Sequence, residues 1–310
     1  MWILDKIRSR SNTIRFEELS VEWLELKKTT IKQSTYYKYA YCIEKYLKDR
    51  LGRLRKKDLV KYDFNQMTKD LTKELSPKSV KEILNVLKSI LKYANQKYDM
   101  NIHLDLIISP KVRAKDISVL SKKEINRLEK YCLKENSLKS LGILICLNTG
   151  LRIGEICALR WENIDFEKKL IYIKKTLQRV YTVEKKTEII IDSSKTESSI
   201  RSIPMSDKIY HILKDVHNKQ SEKAFFLTGT RDQYIEPRSY QNMFKRILKA
   251  SKVKEYNFHV LRHTFATNCI KVGMDIKSLS EILGHASVDV TLNRYVHSSY
   301  DMKKKFLEKL

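Results

Sequence analysis

Apolar residues recur three and four apart through most of residues 14–100. In IRFEELSVEWLELKK, Phe16, Leu19, Trp23 and Leu26 fall on one stripe, which predicts an amphipathic helix. STYYKYAYCIEKYLKDRLG predicts a second helix, with Ser34 as its N-cap and Gly52 beyond its last turn. A weaker pattern predicts a helix over 63–74. LSPKSVKEILNVLKSILKYANQ predicts a long helix: Ser76 caps it, Pro77 takes its first position, and Val80, Ile83, Leu84, Leu87, Ile90, Leu91 and Ala94 make its buried stripe. These four helices form a small domain, 11–103. Its outward positions are rich in Lys, Tyr, Ser and Thr, side chains that contact phosphates.

The periodicity breaks in NIHLDLIISPKVRAKDIS, where Pro110 and the basic KVRAK mark a linker, 104–118. Ser121 with Glu124 then spells a capping box and opens a second domain, 119–310. Helices are predicted near 122–134, 138–148 and 153–159, and again near 206–219, 238–251, 260–271, 276–283 and 288–293. Between the two groups, 170–205 is rich in Ile, Val, Tyr and Thr with partial alternation, which predicts a three-stranded antiparallel sheet. The fold class is therefore mainly α with a small antiparallel β-sheet, in two domains.

Charge adds a partner to this picture. Lys and Arg total 62 against 37 Asp and Glu, a net charge of +25, and the excess runs through both halves of the chain. So basic a surface repels itself, and a polyanion is the natural counterpart, although a Lys-rich proteome gives the same charge with no ligand. No run of about 18 apolar residues occurs, so no membrane span is expected, and the N-terminus lacks the long apolar block of a signal peptide. A cytoplasmic protein follows. The five cysteines, Cys42, Cys132, Cys146, Cys157 and Cys269, are scattered and lack CxxC spacing, which argues against a disulfide framework or a cysteine zinc site.

Four pieces of the second domain concentrate polar residues beside apolar runs. In NTGLRIGEICALRWENID, Gly150 ends one helix and Arg152 opens the next, three residues before Glu155 and on the same face. An Arg held there is a rigid fork for two phosphate oxygens; a plain Arg–Glu surface pair explains the spacing equally well. In DSSKTESSIRSIPM, Lys195 lies in a Ser/Thr-rich turn between strand-like segments. It could protonate a leaving oxygen there, or simply be solvated. In NFHVLRHTFATNCIKVG, His259 and Arg262 share a face at the start of a helix, a position that favours anions, while His263 points elsewhere. His259 and His263 also have the i,i+4 spacing of metal ligands, but Val260 stands where the zinc-protease pattern needs Glu, and Arg262 between them opposes a cation. In LGHASVDVTLNRYVH, Gly284 stops a helix and presents His285, and Tyr295 follows a short helix. The chain has 17 tyrosines, so Tyr295 alone carries little. Jointly, the pieces supply what attack on a phosphodiester needs without metal. Two guanidinium groups would meet the charge, histidines donate or accept, a cation sits near the leaving oxygen, and a hydroxyl forms the covalent intermediate.

TGLRIGEICALRW, HVLRHTFAT and LGHASVDVTLNRYVH, in this order, resemble the tyrosine recombinases, the phage integrase family. The resemblance is specific over about 119–297 and looser over 14–100, which is similar to the family's core-binding domain. It implies a two-domain, C-shaped clamp on double-stranded DNA with a specific recombination site. It further implies that Arg152 and Arg262 clamp the scissile phosphate, that His259 and His285 bond to it or assist proton movement, and that Lys195 is the general acid. Glu155 supports the group, and Tyr295 forms a 3′-phosphotyrosine. No metal or other cofactor is implied. A homotetramer forms on DNA from chains that are monomeric when free, with an excisionase or host DNA-bending factor as accessory partner. The long 172–205 segment resembles integrases of phages and conjugative transposons more than chromosome-dimer resolvases. Such integrases often carry an extra arm-binding domain, and the short segment before the first helix implies that this domain is missing, truncated or never existed. The terminal stripe Met302, Phe306 and Leu310 is expected to dock on a neighbouring subunit. The rival readings are a non-cutting DNA-binding protein of the same fold, a chromosome-dimer resolvase and a topoisomerase-like relaxing enzyme.

Overall fold

The computed structural model describes residues 13–112, 117–180, 182, 187–193, 200–295 and 308. The chain divides into two compact units, Met1–Lys115 with Val180–Glu188, and Asp116–Arg179 with Ile189–Leu310. Among the described residues, no helix is long and apolar enough to cross a membrane.

The first unit is helical: α1 (Phe16–Lys28), α2 (Gln33–Cys42), a π-helical turn (Ile43–Leu47), α3 (Lys48–Leu51), α4 (Lys56–Lys61), α5 (Phe64–Glu74) and α6 (Pro77–Tyr98). The long α6 begins as its sequence dictates. The Ser76 side chain accepts from the Ser79 amide, and Pro77 occupies a position whose N–H would have had no helical partner. Its stripe from Val80 to Ala94 is buried, with Leu84, Leu87, Ile90 and Leu91 fully enclosed against Phe16, Leu19 and Trp23 in one core. Gln33 opens α2 with Lys32 as the N-cap, so Ser34 lies inside the first turn rather than at the cap. The helix predicted as one piece over 34–51 is interrupted by the π-turn, a local widening that apolar spacing does not encode.

The second unit is built on α8 (Leu138–Thr149), which is buried on nearly every side and packs against α7 (Lys122–Glu135) and α12 (His259–Lys271). Around it lie α9 (Ile153–Ala158), α10 (Asp207–His217), α11 (Pro237–Ala250), α13 (Ile276–Leu283) and α14 (Val288–Tyr295). The Ser121–Glu124 capping box is present, with the Ser121 hydroxyl 3.3 Å from the Glu124 amide and Glu124 accepting from the Ser121 amide at 2.9 Å. All five cysteines are buried and unpaired.

The β structure differs from the single sheet predicted over 170–205. Among the described residues there are two small sheets, the first of them antiparallel throughout. One has the order β1 (Ile164–Asp165), β2 (Leu170–Ile173) and β5 (Arg201–Pro204), so its first strand precedes the predicted region; the other pairs β3 (Lys175–Val180) with β4 (Glu188–Ser193). Register pairs Ile171 with Ile203 and Ile173 with Arg201. Side chains two apart share a face, so Arg201 lies on the inward face with Ile203. That placement decides much of the site below.

Candidate active site

Arg152 is the N-cap of α9, directly after Gly150 has ended α8 in the left-handed conformation at φ 68°. Glu155, at the third helical position, accepts from the Arg152 amide at 2.9 Å and from its Nη1 at 2.7 Å. This is not a solvated surface pair: the Glu155 side chain is 3% exposed. Gly154 lets α9 sit close to β3, since a Cβ there would meet Thr176 Oγ1 at 2.5 Å and the Leu177 carbonyl at 2.7 Å.

Arg201 reaches the same carboxylate from the sheet. Its Nη1 and Nη2 donate to Glu155 Oε1 at 3.1 Å and Oε2 at 2.9 Å, and its Nε donates to the Ile282 carbonyl at 2.6 Å. Burial alone would raise the Glu155 pKa; Arg201 and then Arg152 outweigh it and hold the carboxyl at about 2. Glu155 is thus a fixed anion that orients two guanidinium groups.

Arg262, on the first turn of α12, is 1% exposed. Its Nη1 donates to the Gly150 carbonyl at 2.9 Å and its Nη2 to the Leu283 carbonyl at 2.8 Å. Arg152 Nη2 donates to the next carbonyl, that of Gly284, at 2.9 Å. Gly284 ends α13 with φ 63°, so the two turns that sequence marked with glycine supply the carbonyls that anchor both arginines. Burial first, and the nearby Arg152 second, lower the Arg262 pKa to about 9, still protonated at neutral pH. Two cations pressed together in this way are a preorganised socket for an oxyanion: each guanidinium carries five donors and spends only some on its anchors.

Arg152, Glu155, His259, Arg262, Gly284 and His285 line one basin of about 970 Å³. His285 is fixed by a 2.7 Å contact between its Nδ1 and the hydroxyl of Thr291, which is fully buried. Tyr295 is the last residue of α14 rather than a residue beyond it. Its ring is 7% exposed, packs with Cys269, Leu279 and Leu283, and lies parallel to His285 with centroids 6.4 Å apart. Its hydroxyl is 2.8 Å from His263 Nδ1.

Sequence reasoning therefore brought forward Arg152, Glu155, His259, Arg262, His285 and Tyr295, and the structure gathers these around and beside one basin. Lys195 and the Met302, Phe306 and Leu310 stripe lie outside the described residues. Two groups were missed. Arg201 was not singled out in sequence, although its alternation with Ile203 was an available signal. His263 was expected to point away from the site; it bonds to the Tyr295 hydroxyl instead. Its spacing from His259 suggested only a metal pair, and the two rings meet edge-on at 4.5 Å.

Residues 118–302 match the phage integrase family, and residues 15–63 match the N-terminal SAM-like domain of phage integrases. The chain belongs to the phage integrase family. It is thereby a tyrosine recombinase, an enzyme that cleaves and rejoins DNA. It is 28% identical to the XerC-like tyrosine recombinase of Caldanaerobacter subterraneus subsp. tengcongensis, over 94% of this chain and 82% of that protein. Over 54% of its length it is 36% identical to the transposase of transposon Tn916 from Enterococcus faecalis, of which the match spans 44%. The fold is similar to that of the Tn1549 transposon integrase in complex with transposon right-end DNA, with a TM-score of 0.76 at 23% identity, covering 96% of this chain and 99% of that one.

Proposed function

We propose that this enzyme recombines double-stranded DNA at a specific site in the integration and excision of a mobile element, through a 3′-phosphotyrosine at Tyr295. The observation that carries this reading is the Arg152–Arg262 socket. Two anchored guanidinium groups share one basin with His259 and His285, and Tyr295 packs against its rim. Attack of the Tyr295 hydroxyl on phosphorus places extra charge on the non-bridging oxygens, and preorganised donors stabilise that charge without reorganising. The histidines bond to the phosphate, and Lys195 protonates the 5′ oxygen as it leaves. A 5′ hydroxyl then reverses the chemistry, so bond energy stays in the protein–DNA link.

Residues 11–103 serve as the core-DNA-binding domain, 104–118 as linker and 119–310 as the catalytic domain. The family match to 15–63 and the transposon-derived relatives support this division and the mobile-element role. The net charge of +25 suits a DNA substrate. Four copies act together on two sites in the cytoplasm, with an excisionase or DNA-bending factor as accessory partner.

The test is a suicide substrate nicked near the crossover, which traps protein covalently on DNA. Wild type is expected to be trapped and Tyr295→Phe to bind without trapping. Equal trapping by Tyr295→Phe would refute the nucleophile assignment. Binding with no wild-type trapping on any cognate site would favour a non-cutting DNA-binding protein.

A further inference from the structure

Among the described residues, His263 bonds to the Tyr295 hydroxyl, and the strand-exchange chemistry proposed for Arg152, Arg262, His259 and His285 gives it no part. It lies on α12 one turn after His259, whose ring it meets at 4.5 Å, and its own ring stands 5.5 Å from that of Tyr295. The Tyr295 ring in turn stacks on His285. His259 and His285 line the basin, so His263 and Tyr295 form a bridge of two rings set beside it.

Tyr295 must lose a proton to attack phosphorus. A phenol has a pKa of about 10, so few hydroxyls are ionised near neutrality and a nearby acceptor is needed. Bulk water is poorly placed to serve, because Tyr295 is 7% exposed. We propose that His263 is a catalytic residue, the general base that takes the Tyr295 phenolic proton. In the starting state His263 carries its proton on Nε2, and Nδ1 accepts the O–H of Tyr295 across 2.8 Å. As a lone pair of Tyr295 Oη forms the bond to phosphorus, the phenolic proton moves to Nδ1 and leaves an imidazolium. The bond from phosphorus to the 5′ oxygen breaks with its electron pair on that oxygen, which takes a proton from the acid, assigned above to Lys195. Rejoining runs the transfers backwards. A neutral imidazole has one ring nitrogen free to accept a proton in this way.

The surroundings suit the step. Among the described residues, the charged and titratable groups facing the pair include His259 and Arg262 on the same helix and His285 across the Tyr295 ring. Arg262 and Tyr295 are close enough for a phenolate to favour the charged guanidinium, and by reciprocity the guanidinium favours the phenolate. The base and the stabilising cation are thus adjacent residues of one helix, aimed at two different atoms of the reaction.

The proposal rests on Tyr295 being the nucleophile, and the experiment separates the two. Single-turnover cleavage is measured on a suicide substrate whose scissile phosphate carries a 5′-bridging sulfur. Sulfur leaves without a proton, so the rate reports activation of the nucleophile alone. His263→Ala and His263→Gln are each expected to bind this DNA as wild type does and to cleave it about a hundredfold or more slowly. The wild-type rate should fall as pH drops through the imidazole range. Both variants should lose that limb and rise with pH, and added imidazole should restore part of the His263→Ala rate. Glutamine can hold the phenol by a hydrogen bond but cannot take its proton. A wild-type rate in His263→Gln would therefore overturn the proposal and make His263 a positioning residue, and so would an unchanged pH profile in His263→Ala. If Tyr295→Phe still forms covalent product, the nucleophile assignment itself fails. If Tyr295→Phe is inert while His263→Ala is fully active, only the base assignment fails.

Discussion

Replacing Arg201 with Met keeps most of the volume of a side chain that is 6% exposed while removing both of its bonds to Glu155 and its bond to the Ile282 carbonyl. The magnitude follows from the carboxylate left behind. Folding lowers the Glu155 pKa from 4.5 to about 2. Each unit is worth about 1.4 kcal/mol, so the pairing of this anion contributes on the order of 3 kcal/mol at neutral pH. Arg201 is the largest of the favourable causes, and without it the burial penalty stands chiefly against Arg152. Breaking a buried pair by deleting one partner costs about 3–5 kcal/mol, which agrees. Urea unfolding followed by circular dichroism at pH 7 should show a midpoint lowered by roughly 1–2 M. Lys73→Met, which removes an exposed pair with Asp70, should leave the midpoint nearly unchanged. The sign with pH is also fixed. Because the folded pKa is depressed, the Glu155 contribution is complete above about pH 4.5 and fades as pH falls towards 2. The Arg201→Met protein should lose this acid-side slope, and the difference between the two proteins should shrink as pH falls through that window. A destabilisation below about 1 kcal/mol at pH 7, or a difference independent of pH, would refute the view of Glu155 as a buried anion held by Arg201.

Two further outcomes test the socket. Arg152→Ala and Arg262→Lys should each lower cleavage of a suicide substrate at least a hundredfold, while gel-shift affinity for the same DNA changes little; a comparable loss of affinity would make either residue a binding group instead. Gly150→Ala places a Cβ 2.7 Å from both Leu283 Cδ2 and Phe265 Cδ1 at a φ of 68°, so strain and overpacking should together cost about 2–4 kcal/mol in thermal unfolding. Because the Gly150 carbonyl anchors Arg262, cleavage by that variant should fall by more than the loss of folded protein accounts for.

The parts of this site that were legible in sequence are those governed by short-range rules. Gly150 and Gly284 mark helix ends because the left-handed cap conformation favours glycine, and each turn lies within two residues of a site group. Arg152 and Glu155 are joined by a helix-start geometry that spans three residues. The stripe of α6 predicts its own buried face. The sheets were misread for a matching reason: β1 is only two residues long and finds its partner β2 across a turn, so alternation had no length in which to show.

Local pattern could turn Arg201 inward, but it could not name the partner of either Arg201 or His263. Arg201 is 46 residues from Glu155, and His263 is 32 from Tyr295. Both are residue types able to do chemistry, but Arg201 belonged to no motif and His263 was expected to point away from the site. What local reading lacks is the packing of α9, α12, α13 and α14 against one another, which turns separately ambiguous residues into a single charged network. Once Glu155 is buried it must be paired, and the inward face of β5 offers Arg201. Once Tyr295 is buried its hydroxyl needs a partner, and α12 offers His263. In both cases burial creates the demand and a neighbouring element meets it, so a polar residue that alternation or helical spacing turns inward is the one to question first for a role at the site.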